Sequence, residues 1–292
     1  MLLPLLTAFV WDVSNTAFAI GSWSVRWYGV LFALGFFVGQ IILTRIYVAE
    51  GKPAALVDVI TFYMIIGTVV GARLGHCLLY EPEIYLAHPL EILKIWHGGL
   101  ASHGATAGIL IALYLFSRRE KLSYLWVLDR IVIVVALGGA FIRLGNMMNS
   151  EIIGRPTNLP WGVMFPRNPD GLSVVARHPT PLYEAGFCIL LVIGLYLIWR
   201  HYKAATPRGL TFGLFVLLLF SQRFLLEFLK ENQVAFENGL PLNMGQLLSI
   251  PLIVAGVVVL TRAILRGPEV PGAGAPIAGA SAGPAVGLNA NA

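Results

Sequence analysis

The sequence predicts an all-α polytopic membrane protein, and three observations predict it. Hydrophobic residues are 57% of the chain and charged ones only 12%, with a mean hydropathy of +0.77, outside the range of soluble domains. The apolar residues gather into seven stretches, each long enough to cross roughly 30 Å of hydrocarbon. Lysine and arginine are unevenly shared between alternate connections.

In order, the expected spans are Trp27–Thr44, Leu56–Tyr80, Gly99–Phe116, Val127–Met148, Leu182–Trp199, Gly209–Leu229 and Leu247–Leu265. Connections 1, 3 and 5 and the C-terminal end carry Arg45, Lys52, Arg118, Arg119, Lys121, Arg200, Lys203, Arg208, Arg262 and Arg266. The opposite side carries Arg26, Lys94, Arg155, Arg167, Arg177 and Lys230. By the positive-inside rule the N-terminus is extracytoplasmic and the C-terminus cytoplasmic. The net charge of +5, which on a soluble protein would suggest nucleic acid, is explained by this topology, and no nucleic-acid partner is expected.

Met1–Trp11 is apolar without a basic start and predicts a short extracytoplasmic helix on the membrane rather than a cleaved leader. Two connections are long, Asn149–Pro181 and Lys230–Gly245, and both fall on the extracytoplasmic side. Residues 1–266 read as one integral-membrane domain. Residues 267–292, rich in Gly, Pro and Ala, read as a disordered cytoplasmic tail. The two cysteines, Cys77 and Cys188, lie within spans and read as small buried hydrophobes. Neither a disulfide framework nor a metal or cofactor site is expected.

Four arginines, Arg73, Arg130, Arg143 and Arg223, fall inside the expected spans. Each costs roughly 2.5–3.5 kcal/mol to insert near the bilayer centre, so an intramembrane arginine reads first as functional. Arginine keeps its proton, and its planar fork matches phosphate bidentately. The abundant buried anion of that shape is a phospholipid headgroup. Arg130 follows Asp129 at the start of its span and is most simply an interfacial anchor, and Arg73 reads equally well as structural.

Three constellations stand out. Arg143-Leu144-Gly145-Asn146-Met147-Met148-Asn149-Ser150-Glu151 puts Arg143, Asn146 and Ser150 on one helical face if the helix persists. That face would grip a phosphodiester with a hydroxyl beside it, the alternative being an Arg143 that snorkels to the interface. Arg223 and Glu227 are spaced i, i+4 and read either as a binding pair or as a structural ion pair. His97-Gly98-Gly99-Leu100-Ala101-Ser102-His103-Gly104-Ala105 places His103 in a glycine-rich segment. There it serves either as a proton carrier or as a hydrogen-bonding tie between helices. A weak echo joins Arg73-Leu74-Gly75-His76 to Arg143-Leu144-Gly145-Asn146. Ser102 and His103 are adjacent and point about 100° apart, which is wrong for a dyad, so any nucleophile comes with the substrate.

At these residues the chain resembles the bacterial phosphatidylglycerol–prolipoprotein diacylglyceryl transferases. Arg143–Glu151 with Gly154-Arg155 matches that family's signature segment. Trp27-Tyr28-Gly29, the Arg73 segment, His103-Gly104, His178-Pro179-Thr180-Pro181-Leu182-Tyr183-Glu184, Arg223 with Glu227, and Met244–Pro251 support it. The resemblance implies a seven-helix protein of the bacterial cytoplasmic (inner) membrane, with its active site toward the periplasmic leaflet. It implies transfer of the diacylglyceryl group of phosphatidylglycerol to the lipobox cysteine of a prolipoprotein, forming a thioether and releasing glycerol phosphate. Carried over, Arg143 and Arg223 hold the headgroup phosphate, and His103 is the proposed base for the substrate thiol or a group that positions it. Tyr28, Asn146, Glu151, Gly154 and Glu227 shape and polarise the site. His76, Ala105 and Leu219 depart from residues common in the family. The competing reading is a flippase or anion transporter with broken helices and inverted repeats, but the echo here is parallel. A membrane protease lacks its dyad.

Overall fold

The computed structural model describes residues 9–21, 23–94, 98–99, 101–172, 175–231 and 241–269. Its helices are α1 (Trp27–Ala49), α2 (Ala55–Leu79), α3 (Pro82–Ala87), α4 (Ser102–Arg119), α5 (Tyr124–Met148), α6 (Thr180–Tyr202), α7 (Leu210–Leu226) and α8 (Met244–Arg266). Among the described residues four short strands accompany them: β1 (Phe9–Val10), β2 (Thr16–Ile20), β3 (Trp23–Arg26) and β4 (Val163–Met164). Among the described residues, 6 helices are long and apolar enough to cross a membrane, namely α1, α2, α5, α6, α7 and α8. The expected third span folds as the 18-residue α4, more polar than the others because it holds His103 near its start and Arg118-Arg119 at its end.

The long helices are apolar nearly all round. Phe32, Phe37, Ile66, Leu190 and Val254 project from exposed faces, which suits lipid and not water. Without a hydrophobic drive between helices, close packing relies on small residues. Gly67, Gly71 and Gly75 of α2 lie against Gly104 and Gly108 of α4. A Cβ on Gly104 would run into the Gly71 carbonyl, and one on Gly108 into that of Gly67. Backbone therefore meets backbone, and α4 has its register fixed from its first turn.

The main core gathers at one end of the bundle. There Ile46, Tyr47, Val57, Ile60, Phe116, Val127, Ile133 and Leu195 pack together. Arg130 is here too, and the structure corrects its reading as an interfacial anchor: the side chain is fully buried. Its guanidinium donates Nε to Glu50 Oε1 at 3.0 Å and Nη2 to Glu50 Oε2 at 2.9 Å, and it stacks 4.6 Å from the Trp126 ring. Glu50 also accepts from the indoles of Trp126 and Trp199. Beside it, buried Asp129 accepts the backbone N–H groups of Gly209 and Phe212 and the hydroxyl of Thr211. Asp129 thus caps the start of α7 from a neighbouring helix.

The opposite end carries the longer loops. Met147, Ile153, Val163 and Phe165 form a second, smaller core there with Trp11 and Leu172. The expected helix over Met1–Trp11 is corrected at its described end: Phe9–Val10 is extended and pairs in parallel with Val163–Met164. Docking of Trp11, whose indole donates to the Met147 carbonyl at 3.0 Å, holds it there. Residues 1–8 lie outside the described residues, as do His97 and the tail from residue 270. Of the expected tail, Glu269 pairs with Arg208 at 2.8 Å.

Candidate functional site

At the loop end of the bundle, charged side chains from three helix ends converge. The last turns of α5 supply Arg143 and Asn146, the first turns of α6 supply Glu184, and the end of α7 supplies Arg223, with Glu227 in the short 3-10 turn after it. Lys230 follows that turn. Arg143 Nε stands 2.7 Å from Glu184 Oε2. Glu184 Oε1 accepts from Lys230 Nζ at 2.7 Å. The same ammonium donates to Glu227 Oε1 at 3.2 Å, and Arg223 Nε faces that oxygen at 3.9 Å. One unbroken line of alternating charge therefore joins the two arginines.

Local sequence explains how each member is held. Arg143 Nη1 donates to Asn146 Oδ1 at 3.0 Å, and Asn146 Nδ2 donates to Glu151 Oε1 at 2.6 Å. The amide is oriented at both ends. Gly145 lets Tyr28 lie against this segment, because a Cβ there would stand 2.7 Å from the ring. Asn243 and Gln246 form a capping box at the start of α8. Asn243 Nδ2 also reaches Glu227 Oε2 at 3.1 Å.

Most sequence-predicted site residues come together here: Tyr28, Arg143, Asn146, Glu151, Glu227 and Arg223 lie on this line or border it. Gly154 supports it through backbone. Ser150 does not join the expected face. Helix α5 ends at Met148, Ser150 takes a left-handed φ of 54°, and its buried hydroxyl has no hydrogen-bond partner among the described residues. His103 stands apart, exposed at the start of α4. It lines an apolar cleft of about 1060 Å³ between α2 and α4, with Leu74, Gly75 and Leu78 nearby. No contact joins His103 to either arginine among the described residues. Arg73 is tied to main-chain carbonyls of Glu91, Ile92 and Gly98 and stacks on Tyr85, which is a structural use.

Glu184 and Lys230 were not singled out from sequence as site residues. The signal was present for Glu184, a carboxylate in an otherwise apolar span, where the argument applied to arginines holds equally. Lys230 gave only a weak one, a cation three residues after Glu227.

The arrangement suits an anion. Arg143 retains 25% and Arg223 47% side-chain exposure, and both have N–H groups without partners among the described residues. No cluster of His, Cys, Asp and Glu fit to hold a metal occurs among those residues. Cys77 and Cys188 are buried and unpaired.

Comparison with known proteins agrees over most of the chain. The family model described as prolipoprotein diacylglyceryl transferase matches residues 15–262. A phosphatidylglycerol–prolipoprotein diacylglyceryl transferase of Chloroherpeton thalassium is 47% identical over 255 residues, covering 87% of this chain and 94% of the relative. Its counterpart in Tolumonas auensis is 47% identical over 86% of this chain and 95% of its own length. That of Porphyromonas gingivalis is 43% identical over 89% and 96%.

Proposed function

The chain belongs to the prolipoprotein diacylglyceryl transferase family, and on that premise we propose that its Arg143–Arg223 cluster holds the donor phosphate while the substrate supplies the nucleophile. The enzyme transfers the diacylglyceryl group of phosphatidylglycerol to prolipoprotein. Membership selects this activity over the anion transporter.

The acceptor is the lipobox cysteine. Its thiolate sulfur attacks the diacylglyceryl carbon next to the phosphate ester oxygen. The C–S bond forms, the C–O bond breaks with its electron pair on oxygen, and glycerol phosphate leaves. A free thiol is mostly protonated near neutrality and must lose its proton to attack. His103 takes that proton or positions the thiol. Charge grows on the departing phosphate, and two fixed guanidinium groups stabilise it most at that moment. Asn146 and Glu151 orient Arg143. Tyr28, Gly154 and Glu227 shape the surroundings.

The observation that carries this reading is the contrast within the cluster: its carboxylates are buried and paired, while its two arginines keep open donors. A cluster built only to balance charge would close them. We further propose that α4 is a seventh span, so that the N-terminus is periplasmic, the C-terminus cytoplasmic and the cluster at the periplasmic leaflet of the inner membrane. Residues 1–266 are then the catalytic domain and 267–292 a tail.

The test combines purified protein, phosphatidylglycerol and a lipobox peptide, followed by mass spectrometry of the peptide. A diacylglyceryl mass gain that disappears when the peptide cysteine becomes serine is expected. Modification of the serine peptide would contradict the thiol step.

A further inference from the structure

We propose that Lys230 is a positioning residue for the transfer: its ammonium holds Glu184 and Glu227 together and so leaves Arg143 and Arg223 available to the donor phosphate. This rests on the phosphate role proposed for the two arginines. Lys230 Nζ is 2.7 Å from Glu184 Oε1 and 3.2 Å from Glu227 Oε1. Its side chain is only 5% exposed, so it acts on the carboxylates and not on a ligand.

Each of those carboxylates also faces an arginine, Glu184 at 2.7 Å from Arg143 and Glu227 at 3.9 Å from Arg223. In a poorly solvated setting a carboxylate draws in whatever cation is nearest. Remove the ammonium, and each carboxylate keeps only its arginine as a cationic partner, with the neutral Asn243 amide still on Glu227. Counting only the directly ion-paired groups, three cations against two carboxylates leave one net positive charge, which matches the single negative charge of a phosphodiester. Without Lys230 the line is neutral.

The lysine is held from outside the helices as well. Its backbone bridges to Gly154, Arg155 N–H donates to the Leu229 carbonyl at 2.8 Å, and Arg155 Nε donates to the Lys230 carbonyl at 2.9 Å. A Cβ on Gly154 would stand 2.7 Å from the Leu229 carbonyl. This accounts for a glycine at that position of the signature segment: it seats the backbone that carries Lys230. The long loop therefore holds the backbone from which the Lys230 ammonium reaches the two carboxylates.

The test measures kcat and KM for phosphatidylglycerol in mixed micelles with a lipobox peptide, and thermal unfolding of each variant. Lys230→Met should raise KM at least about tenfold, a change equivalent to about 1.4 kcal/mol, with a smaller change in kcat. Lys230→Arg should restore most of the affinity. The double variant Lys230→Met/Glu184→Gln should recover part of it, because deleting one carboxylate restores the net charge. A wild-type KM in Lys230→Met overturns the inference. So does a loss that neither Lys230→Arg nor the double variant relieves, since that marks a purely structural lysine. If Lys230→Met does not fold, the double variant decides: affinity near wild type supports the proposal and absent affinity overturns it. Arg143→Ala runs alongside. Normal turnover in that variant would sink the phosphate role itself, whereas an inactive Arg143→Ala with a normal Lys230→Met sinks only the role of Lys230.

Discussion

Arg130 and Arg143 lie about 20 Å apart along the same helix, and they solve the problem of a buried guanidinium in opposite ways. Arg130 has no exposed side-chain surface, and Glu50 grips its fork through two hydrogen bonds. Beside it Asp129 closes the start of α7, and Glu50 also takes two indole N–H groups. Arg143 meets its carboxylate through Nε, donates Nη1 to Asn146, and keeps the rest of its fork toward an open side. A buried arginine is therefore not itself the mark of a site. The mark is donor capacity left unused next to a cluster that is otherwise balanced.

This contrast breaks or sharpens at defined places. The largest effect should fall on stability: Arg130→Ala strands Glu50 without its cation, which typically costs about 3–5 kcal/mol. Thermal unfolding in detergent should show it, and an unfolding temperature equal to wild type would break the comparison. Next comes Arg223→Ala, expected to lower transfer roughly a hundredfold or more without loss of folded protein. Glu227→Gln should cost less, because Lys230 and Asn243 still hold the residue. The reverse ranking in the same kinetic assay would make the pair chiefly structural. Asp129→Ala should lose about 1–2 kcal/mol through the missing cap, while the protein that remains folded keeps its specific activity. Smallest of all, replacing both Cys77 and Cys188 by Ala should leave transfer largely intact. Complete loss in a folded double variant would require a covalent enzyme intermediate.

Much of the bundle was legible in the sequence because hydropathy acts locally. The expected span Leu56–Tyr80 folds as Ala55–Leu79 and Val127–Met148 as Tyr124–Met148. The first strand was not legible, since Phe9–Val10 is fixed by pairing with Val163–Met164, far along the chain. The same distance hid the character of Arg130. Its neighbour Asp129 suggested an anchor, but its true partner Glu50 lies just past the end of α1, far away in the sequence. Within the site, Arg143 and Asn146 were readable from helical spacing. Ser150 was misplaced because the helix stops before it. Glu184 and Lys230 acquire their meaning only where α6 meets the end of α7.

The most direct test of the central claim is transfer by Arg143→Ala, measured by mass of the lipobox peptide alongside thermal unfolding and phosphatidylglycerol binding. The account predicts a protein that folds nearly as well as wild type, because Glu184 keeps Lys230, yet binds the lipid weakly and transfers nothing detectable. Near-normal turnover in that folded variant would contradict it.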